Sequence, residues 1–104
     1  MEFVLIAYDG TDAQAQERRL KVREAHLALV GELKKEGKML YGGAILDEAD
    51  KMIGSVIIYD FPSRTELDSY LKEDPYVTGN VWQKIEVHTF RTAPLCKNIA
   101  KVKA

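Results

Sequence analysis

Hydrophobic and polar positions follow two different spacings along the chain, and each spacing predicts one kind of element. Short apolar runs rich in β-branched and aromatic residues predict strands, whereas apolar residues three and four positions apart predict helices. Ser63 and Glu66 form a capping box, and Asp74 followed by Pro75 has the composition of a helix start. The predicted strands are residues 3–8, 39–46, 52–61 and 81–91, and the predicted helices cover 12–36, a segment from 63 and a short turn from 74.

The order of these elements is βαββαβ, which predicts a ferredoxin-like α+β fold. Right-handed crossovers would place both helices on one face of a four-stranded antiparallel sheet with strand order 4-1-3-2. The 104 residues suffice for one domain with one core. We assign residues 1–92 to this domain and 93–104 to a C-terminal tail, which is expected to pack on the domain or on a dimer.

Both faces of the predicted sheet are apolar, although two helices can cover only one of them. A sheet face in water would show polar residues at every second position. The second face is therefore predicted to meet the same face of another copy, which gives a two-fold homodimer. The alternative is a monomer whose tail folds across this face. The two alternating sets of the first strand are Phe3, Leu5 and Ala7, and Val4, Ile6 and Tyr8.

The first helix carries basic side chains where its apolar side should lie. A helix advances by about 100° per residue, which places Arg19, Arg23 and His26 in one stripe with Val30. Apolar residues lie on both sides of this stripe, and Leu27 belongs to one of these two flanks. Burying an unpaired charge costs several kcal/mol, so these groups need partners or a polar cleft. Two interpretations remain open. The stripe meets carboxylates and carbonyls, or it lines a pocket for an anionic or phenolic ligand, with His26 able to move a proton.

Two consecutive glycines, Gly42 and Gly43, interrupt the second predicted strand. This strand is expected to run beside the first helix, so the missing side chains would open space next to the basic stripe. A glycine within a strand often permits close approach of a ligand or of another backbone. The structural alternative is a bulge near the edge of the sheet.

The fourth strand carries the second histidine. Strict alternation places His88 in register with Trp82, Lys84 and Glu86, a set predicted to face the dimer partner or solvent. We therefore assign His88 no chemical role. With two histidines in the chain and no supporting carboxylate spacing, the sequence predicts neither a metal site nor a cofactor.

Composition and charge narrow the classes of partner. The net charge is −1, so no broad attraction to nucleic acid or to an anionic membrane is expected. No apolar run approaches the length that crosses a bilayer. The single cysteine cannot form an internal disulfide, which fits a reducing compartment, and a cytoplasmic location is predicted.

Three short motifs together resemble the YciI-like, or YCII-related, domain family. They are "RLKVREAH", "GG" and "DPY", and the resemblance runs from the first strand to about Phe90. It implies a dimeric α+β barrel and a catalytic pair of His26 and Asp74. Two features depart from the pattern: Glu24 stands where some members have proline, and the tail continues beyond Arg91. The residues that carry the resemblance are Arg19, Arg23, His26, Gly42, Gly43, Asp74, Pro75 and Tyr76.

The implied pair suggests a mechanism in which a carboxylate fixes the imidazole tautomer and leaves its other nitrogen as a base. Arg19 and Arg23 would hold a substrate anion, with the Tyr76 hydroxyl nearby. Asp74 has an alternative role as a helix N-cap. The leading hypothesis is a small acid–base enzyme of lyase or isomerase type that acts on a cyclic or aromatic anion. The alternatives are a non-catalytic small-ligand-binding or accessory protein and, from the fold alone, a cofactor-free oxygenase.

Overall fold

The computed structural model describes residues 1–96 and confirms the predicted ferredoxin-like α+β fold. The tail prediction concerns mainly residues 97–104, which lie outside the described residues. No helix within the described part has the length and apolarity needed to cross a membrane. The elements are β1 Glu2–Asp9, α1 Ala15–Lys35, β2 Met39–Leu46, β3 Met52–Asp60, α2 Arg64–Leu71, α3 Pro75–Thr78, β4 Trp82–Phe90 and a 3₁₀ turn at Pro94–Cys96.

The four strands form one antiparallel sheet with the order β2-β3-β1-β4, as predicted. Helix α1 begins three residues later than expected, because Asp12 stabilises the preceding turn. Its carboxylate accepts hydrogen bonds from the Gln14 backbone N–H at 3.3 Å and from Arg18 at 2.7 Å. The helix ends as predicted, before Gly37, whose φ of +76° favours glycine.

The core lies between the sheet and the helices. Alternate residues of β1 and β3, including Leu5 and Tyr59, meet Leu67 of α2 and Tyr76 of α3 in a continuous buried cluster. Burying each such side chain contributes roughly 1.5–3 kcal/mol relative to leaving it in water. The core therefore fixes how the helices sit above the strands, and this placement builds the site described below.

The opposite face of the sheet is uncovered in the single chain. Its centre is apolar: Val4 pairs with Ile58 and Ile6 pairs with Val56 on the two central strands. Strand β4 borders this centre with charged and polar side chains, among them His88, which is exposed as predicted. An apolar centre with a polar edge is typical of an interface, and pairing with a second copy remains a prediction.

Strand β4 contains an irregularity that changes the role of Trp82. Tyr8 pairs with Lys84, but the register then shifts, so that Asp9 pairs with Trp82. Because an extra residue reverses the face to which the following side chains point, Trp82 turns towards the helices and is only 4% exposed. The prediction that Trp82 shares the face of Lys84 and His88 was wrong for this reason.

Candidate functional site

His26 of α1 and Asp74 at the start of α3 contact each other in the protein interior. The His26 Nδ1 and Asp74 Oδ1 atoms lie 2.8 Å apart, and Asp74 is 0% exposed. The same Oδ1 accepts a hydrogen bond from the Tyr76 backbone N–H at 2.8 Å, which confirms the predicted N-cap. Asp74 thus caps α3 and contacts the imidazole at the same time, so the N-cap role and the contact with His26 are compatible.

A third group, Tyr70, holds the other carboxylate oxygen. The Tyr70 hydroxyl donates to Asp74 Oδ2 at 2.5 Å. Burial and the neighbouring Asp74 raise the pKa of the Tyr70 phenol, which therefore keeps its proton and remains a donor. The sequence analysis missed Tyr70; its position four residues before Asp74, at the end of α2, was the available signal.

The surroundings of His26 determine which ring nitrogen carries the proton. A carboxylate only accepts hydrogen bonds, so Nδ1 holds the hydrogen that points to Asp74, and in the neutral imidazole the lone pair is then on Nε2. The imidazole stacks on the Tyr76 ring, with centroids 3.8 Å apart and planes inclined by 11°, and meets the edge of Trp82 at 5.7 Å. The ring is held in one orientation, with Nε2 able to accept a proton.

Arg19 forms a buried ion pair with Asp9 at the end of β1. Its Nη1 lies 3.0 Å from both Asp9 oxygens, and its Nη2 donates to Ser55 Oγ at 2.9 Å. Burial raises the pKa of Asp9, and the hydrogen bonds and charge of Arg19 oppose that rise. The charge of Arg19 is therefore matched inside the protein, as the carboxylate-partner interpretation of the stripe proposed.

Ser55 and Trp82 complete this network, and the sequence analysis assigned neither to the site. Trp82 Nε1 donates to Ser55 Oγ at 3.1 Å. Ser55 is 3% exposed and stands beside Ala7, on the side of the sheet that the helices cover. A polar residue at a core-facing position of an otherwise apolar strand was the signal that could have indicated it.

Arg23 differs from the other two basic residues of the stripe. It is exposed and lies at the mouth of a cavity instead of meeting a carboxylate. Within residues 1–96 its guanidinium forms no hydrogen bond or ion pair. The reason is that the flank of α1 containing Leu27, which is 45% exposed, overhangs open space beside β2 instead of packing on the sheet.

The cavity lies between α1 and strands β2 and β3 and has a volume of about 260 Å³. Its polar lining residues are Arg19, Arg23, His26, Ser55 and Tyr76. Its apolar lining residues include Leu27, Val30, Met39, Met52 and Ile57. The cavity can therefore offer a ligand both hydrogen-bonding groups and apolar contacts.

The glycine pair lies in a regular part of β2. Gly42 pairs with Ile57 and Gly43 with Val56, and the register shifts occur only near the two ends of the strand. A Cβ atom at Gly42 would lie 3.1 Å from both Met39 Cε and the Val56 carbonyl oxygen, whereas one at Gly43 would meet nothing. Gly42 thus permits close packing in the cavity wall, and no bulge occurs at the pair.

Four ionisable groups of the site form two pairs, which leave Arg23 outside them. His26 contacts one carboxylate, and the second carboxylate, Asp9, faces Arg19. Nowhere in residues 1–96 do three His, Cys, Asp or Glu side chains come close enough together to hold a metal ion. The contact between His26 and a carboxylate fits proton transfer by the imidazole.

Comparisons with known proteins agree with this architecture. Protein YciI of Escherichia coli O6:H1 is 34% identical over 97 residues, which are 88% of this chain and 97% of that protein. The structure of 5-chloro-2-hydroxyhydroquinone dehydrochlorinase from Burkholderia phenoliruptrix, in complex with 2,5-dihydroxybenzoquinone, superposes with a TM-score of 0.77 at 26% identity, covering 89% of this chain and 96% of that one.

A NIPSNAP family protein from Agrobacterium tumefaciens shares the fold alone, with a TM-score of 0.52 at 16% identity over 89% of this chain and 93% of that one. The single-chain fold is that of the dimeric α+β barrel class, as the resemblance implied. The profile of the YCII-related domain matches residues 1–91, nearly the whole described part. This chain belongs to the YCII-related domain family.

Proposed function

We propose that this protein is a small acid–base enzyme of lyase or isomerase type that acts on a compact cyclic or aromatic anion. One observation carries the proposal: the His26 imidazole, held by Asp74 at 2.8 Å, lines a cavity large enough for a single substituted ring. In this assignment Nε2 of His26 is the base, and Asp74 orients the ring and stabilises the imidazolium that forms.

The two arginines have different roles in this proposal. Arg23 binds the anionic group of the substrate, because its charge has no partner within residues 1–96. Arg19, whose charge Asp9 already matches, supports the wall of the cavity through Ser55 and through the Tyr76 ring, which lies 4.7 Å from Arg19 Cζ. Tyr76 and the glycine pair at 42 and 43 line the substrate site.

The dehydrochlorinase with the same fold supports this reaction class. In an elimination from the keto form of such a ring, Nε2 of His26 takes a proton from a ring hydroxyl, the O–H electron pair forms a carbonyl, the ring double bond shifts, and the leaving group departs with its own electron pair. In an isomerisation, Nε2 takes a proton from a ring carbon and returns it to a different carbon as the double bond shifts. Both reactions need one base in a fixed orientation beside a bound anion, and this cavity provides both.

The direct test measures chloride release from 5-chloro-2-hydroxyhydroquinone. The wild-type protein is expected to release chloride faster than buffer alone, and His26→Gln is expected to lower the rate by about 100-fold or more because it removes the base. Glutamine keeps an amide N–H donor that can face Asp74, so the fold is expected to survive. The exposed histidine offers a matched control, and His88→Gln is expected to leave the rate unchanged.

A wild-type rate equal to that of buffer would count against catalysis of this elimination. If 2,5-dihydroxybenzoquinone still bound under those conditions, the non-catalytic ligand-binding protein would be the better description. A rate that His26→Gln leaves intact would remove His26 from the base role.

We also propose that the uncovered face of the sheet pairs two copies of the chain, in a reducing compartment such as the cytoplasm. The apolar pairs of β1 and β3 at its centre support this arrangement. Light scattering of the wild type at micromolar concentration is expected to give the mass of two chains. Val56→Asp places two carboxylates in the interface and is expected to give one chain, because burying unpaired charge is costly.

A matched control uses the same substitution on an exposed apolar residue of α1, Leu20. Leu20→Asp is expected to leave the dimer intact. A wild-type mass of one chain would contradict the pairing directly.

A further inference from the structure

The Ser55 hydroxyl has used both of its acceptor positions. Arg19 Nη2 lies 2.9 Å from Ser55 Oγ, and Trp82 Nε1 lies 3.1 Å from it. Guanidinium and indole N–H groups only donate, so each of these contacts occupies one lone pair of the oxygen. A serine hydroxyl has two lone pairs and one hydrogen. The remaining Ser55 hydrogen can therefore only be donated.

This hydrogen has no acceptor among residues 1–96. Ser55 is 3% exposed, and its side chain donates to no described atom. Ser55 lines the cavity that also holds His26 and Arg23. A buried donor without an acceptor costs roughly 1–3 kcal/mol, and the cavity is the space where a ligand oxygen can satisfy it.

We propose that the Ser55 hydroxyl donates a hydrogen bond to a carbonyl or enolate oxygen of the substrate. The inference rests on the proposed function and narrows its substrate class to rings with two separate oxygen groups. Arg23 at the mouth takes the anionic group, and Ser55 in the interior takes the second oxygen. Quinonoid anions and cyclic keto acids fit this arrangement. An aromatic anion with no second oxygen bonded to its ring would pair with Arg23 but would leave the Ser55 hydroxyl without an acceptor.

The position of Ser55 also suits the chemistry. When His26 takes a proton from carbon next to a carbonyl group, the C–H electron pair forms a carbon–carbon double bond and the carbonyl π pair moves onto oxygen. Hydrogen bonds to the resulting negative oxygen are stronger than those to the neutral carbonyl. The donors Arg19 and Trp82 polarise the Ser55 hydroxyl further, because linked hydrogen bonds reinforce one another.

Calorimetric titration with two ligands tests the assignment. 2,5-Dihydroxybenzoquinone has oxygen atoms bonded directly to ring carbons. The only oxygen atoms of benzoate are those of its carboxylate group. Ser55→Ala is expected to weaken binding of the quinone by about tenfold, the loss of a hydrogen bond to a charged group, and to change benzoate affinity less than about twofold. Arg23→Gln is expected to weaken both ligands.

Two further variants separate donation from folding. Ser55→Ala leaves the Arg19 and Trp82 donors without an acceptor, so Ser55→Cys is measured beside it, because sulfur keeps a weak acceptor and is a poor donor. Both variants are expected to bind the quinone weakly. Ser63→Ala removes a serine hydroxyl that only caps α2, through the Glu66 N–H at 3.2 Å, and is expected to leave both affinities unchanged.

Wild-type quinone affinity in Ser55→Ala or in Ser55→Cys would overturn the donor assignment and leave the anion pocket standing. Equal losses for quinone and benzoate would also overturn it, because the loss would then come from a disturbed cavity. If the folded wild type bound neither ligand, the anion pocket itself would fail, and the donor assignment with it.

Discussion

Replacing Asp74 by alanine is expected to lower the free energy of unfolding by about 3–5 kcal/mol, the range for breaking a buried charged interaction by removing one partner. The carboxylate receives three hydrogen bonds, from the imidazole of His26, the hydroxyl of Tyr70 and the backbone N–H of Tyr76. Alanine leaves these three donors without their acceptor, the His26 and Tyr76 groups in a buried place and the Tyr70 hydroxyl in a partly buried one, and α3 loses its cap. The free energy of unfolding of a domain of this size is about 5–15 kcal/mol in total, so the variant is expected to be only marginally stable.

The variant Asp74→Asn separates the role of Asp74 in stability from its proposed role in catalysis. Asparagine caps helices nearly as well as aspartate, and its amide oxygen can still accept from Tyr76 and His26. The Tyr70 hydroxyl can turn its hydrogen away and accept from the new amide NH₂, so the loss of stability is expected to stay near 1 kcal/mol. The charge that stabilises an imidazolium is gone, however, and chloride release is expected to fall by about 100-fold or more. Urea unfolding and the chloride assay separate the two roles. Equal activity of Asp74→Asn and wild type would leave Asp74 with structural roles only.

Replacing Arg19 by methionine is expected to cost about 3–5 kcal/mol as well, because Asp9 would remain buried without its cation. The double variant Arg19→Met and Asp9→Leu removes both charges and is expected to recover most of this loss. Urea unfolding of the four proteins in the cycle measures the coupling. Independent, additive losses would show that the two side chains do not stabilise each other.

The decrease in the free energy of unfolding caused by Arg19→Met is expected to depend on pH in a defined direction. Without this guanidinium, burial raises the pKa of Asp9 with only the charge of Arg18 left to oppose the rise. An acid whose pKa is higher in the folded state binds a proton on folding, so stability rises as the pH falls. The loss is therefore expected to be complete above the raised pKa and to shrink as the pH falls towards the ordinary value of about 4. A loss that stayed constant down to pH 4 would contradict this.

The fold could be predicted because its determinants are local or periodic. The strand spacing, the Ser63 cap, the Asp74–Pro75 start and Gly37 each fix one boundary from a few neighbouring residues. The start of α1 was placed too early, since Asp12 acts before the helix and not as its cap. Such a distinction depends on side-chain rotamers, which the order of residues does not encode.

The site was predicted only where a helical stripe or a motif exposed it. The inward position of His26 and Arg19 followed from the stripe, and the contact with Asp74 from the family resemblance. Asp9 and Ser55 acquire their roles only when β1, β3 and α1 come together, over separations of 10 and 36 residues from Arg19. Each looks ordinary in its own segment, one as a turn residue and the other as a small residue in a strand.

The register shift before Trp82 could not be read from strict alternation either, since it depends on how β4 meets the end of β1. It has a practical consequence. Trp82 is the only tryptophan in the chain, and it lies against the edge of the His26 ring. Its fluorescence therefore originates beside the imidazole alone, so a ligand that contacts His26 is expected to change the emission of the unlabelled protein without interference from other indoles.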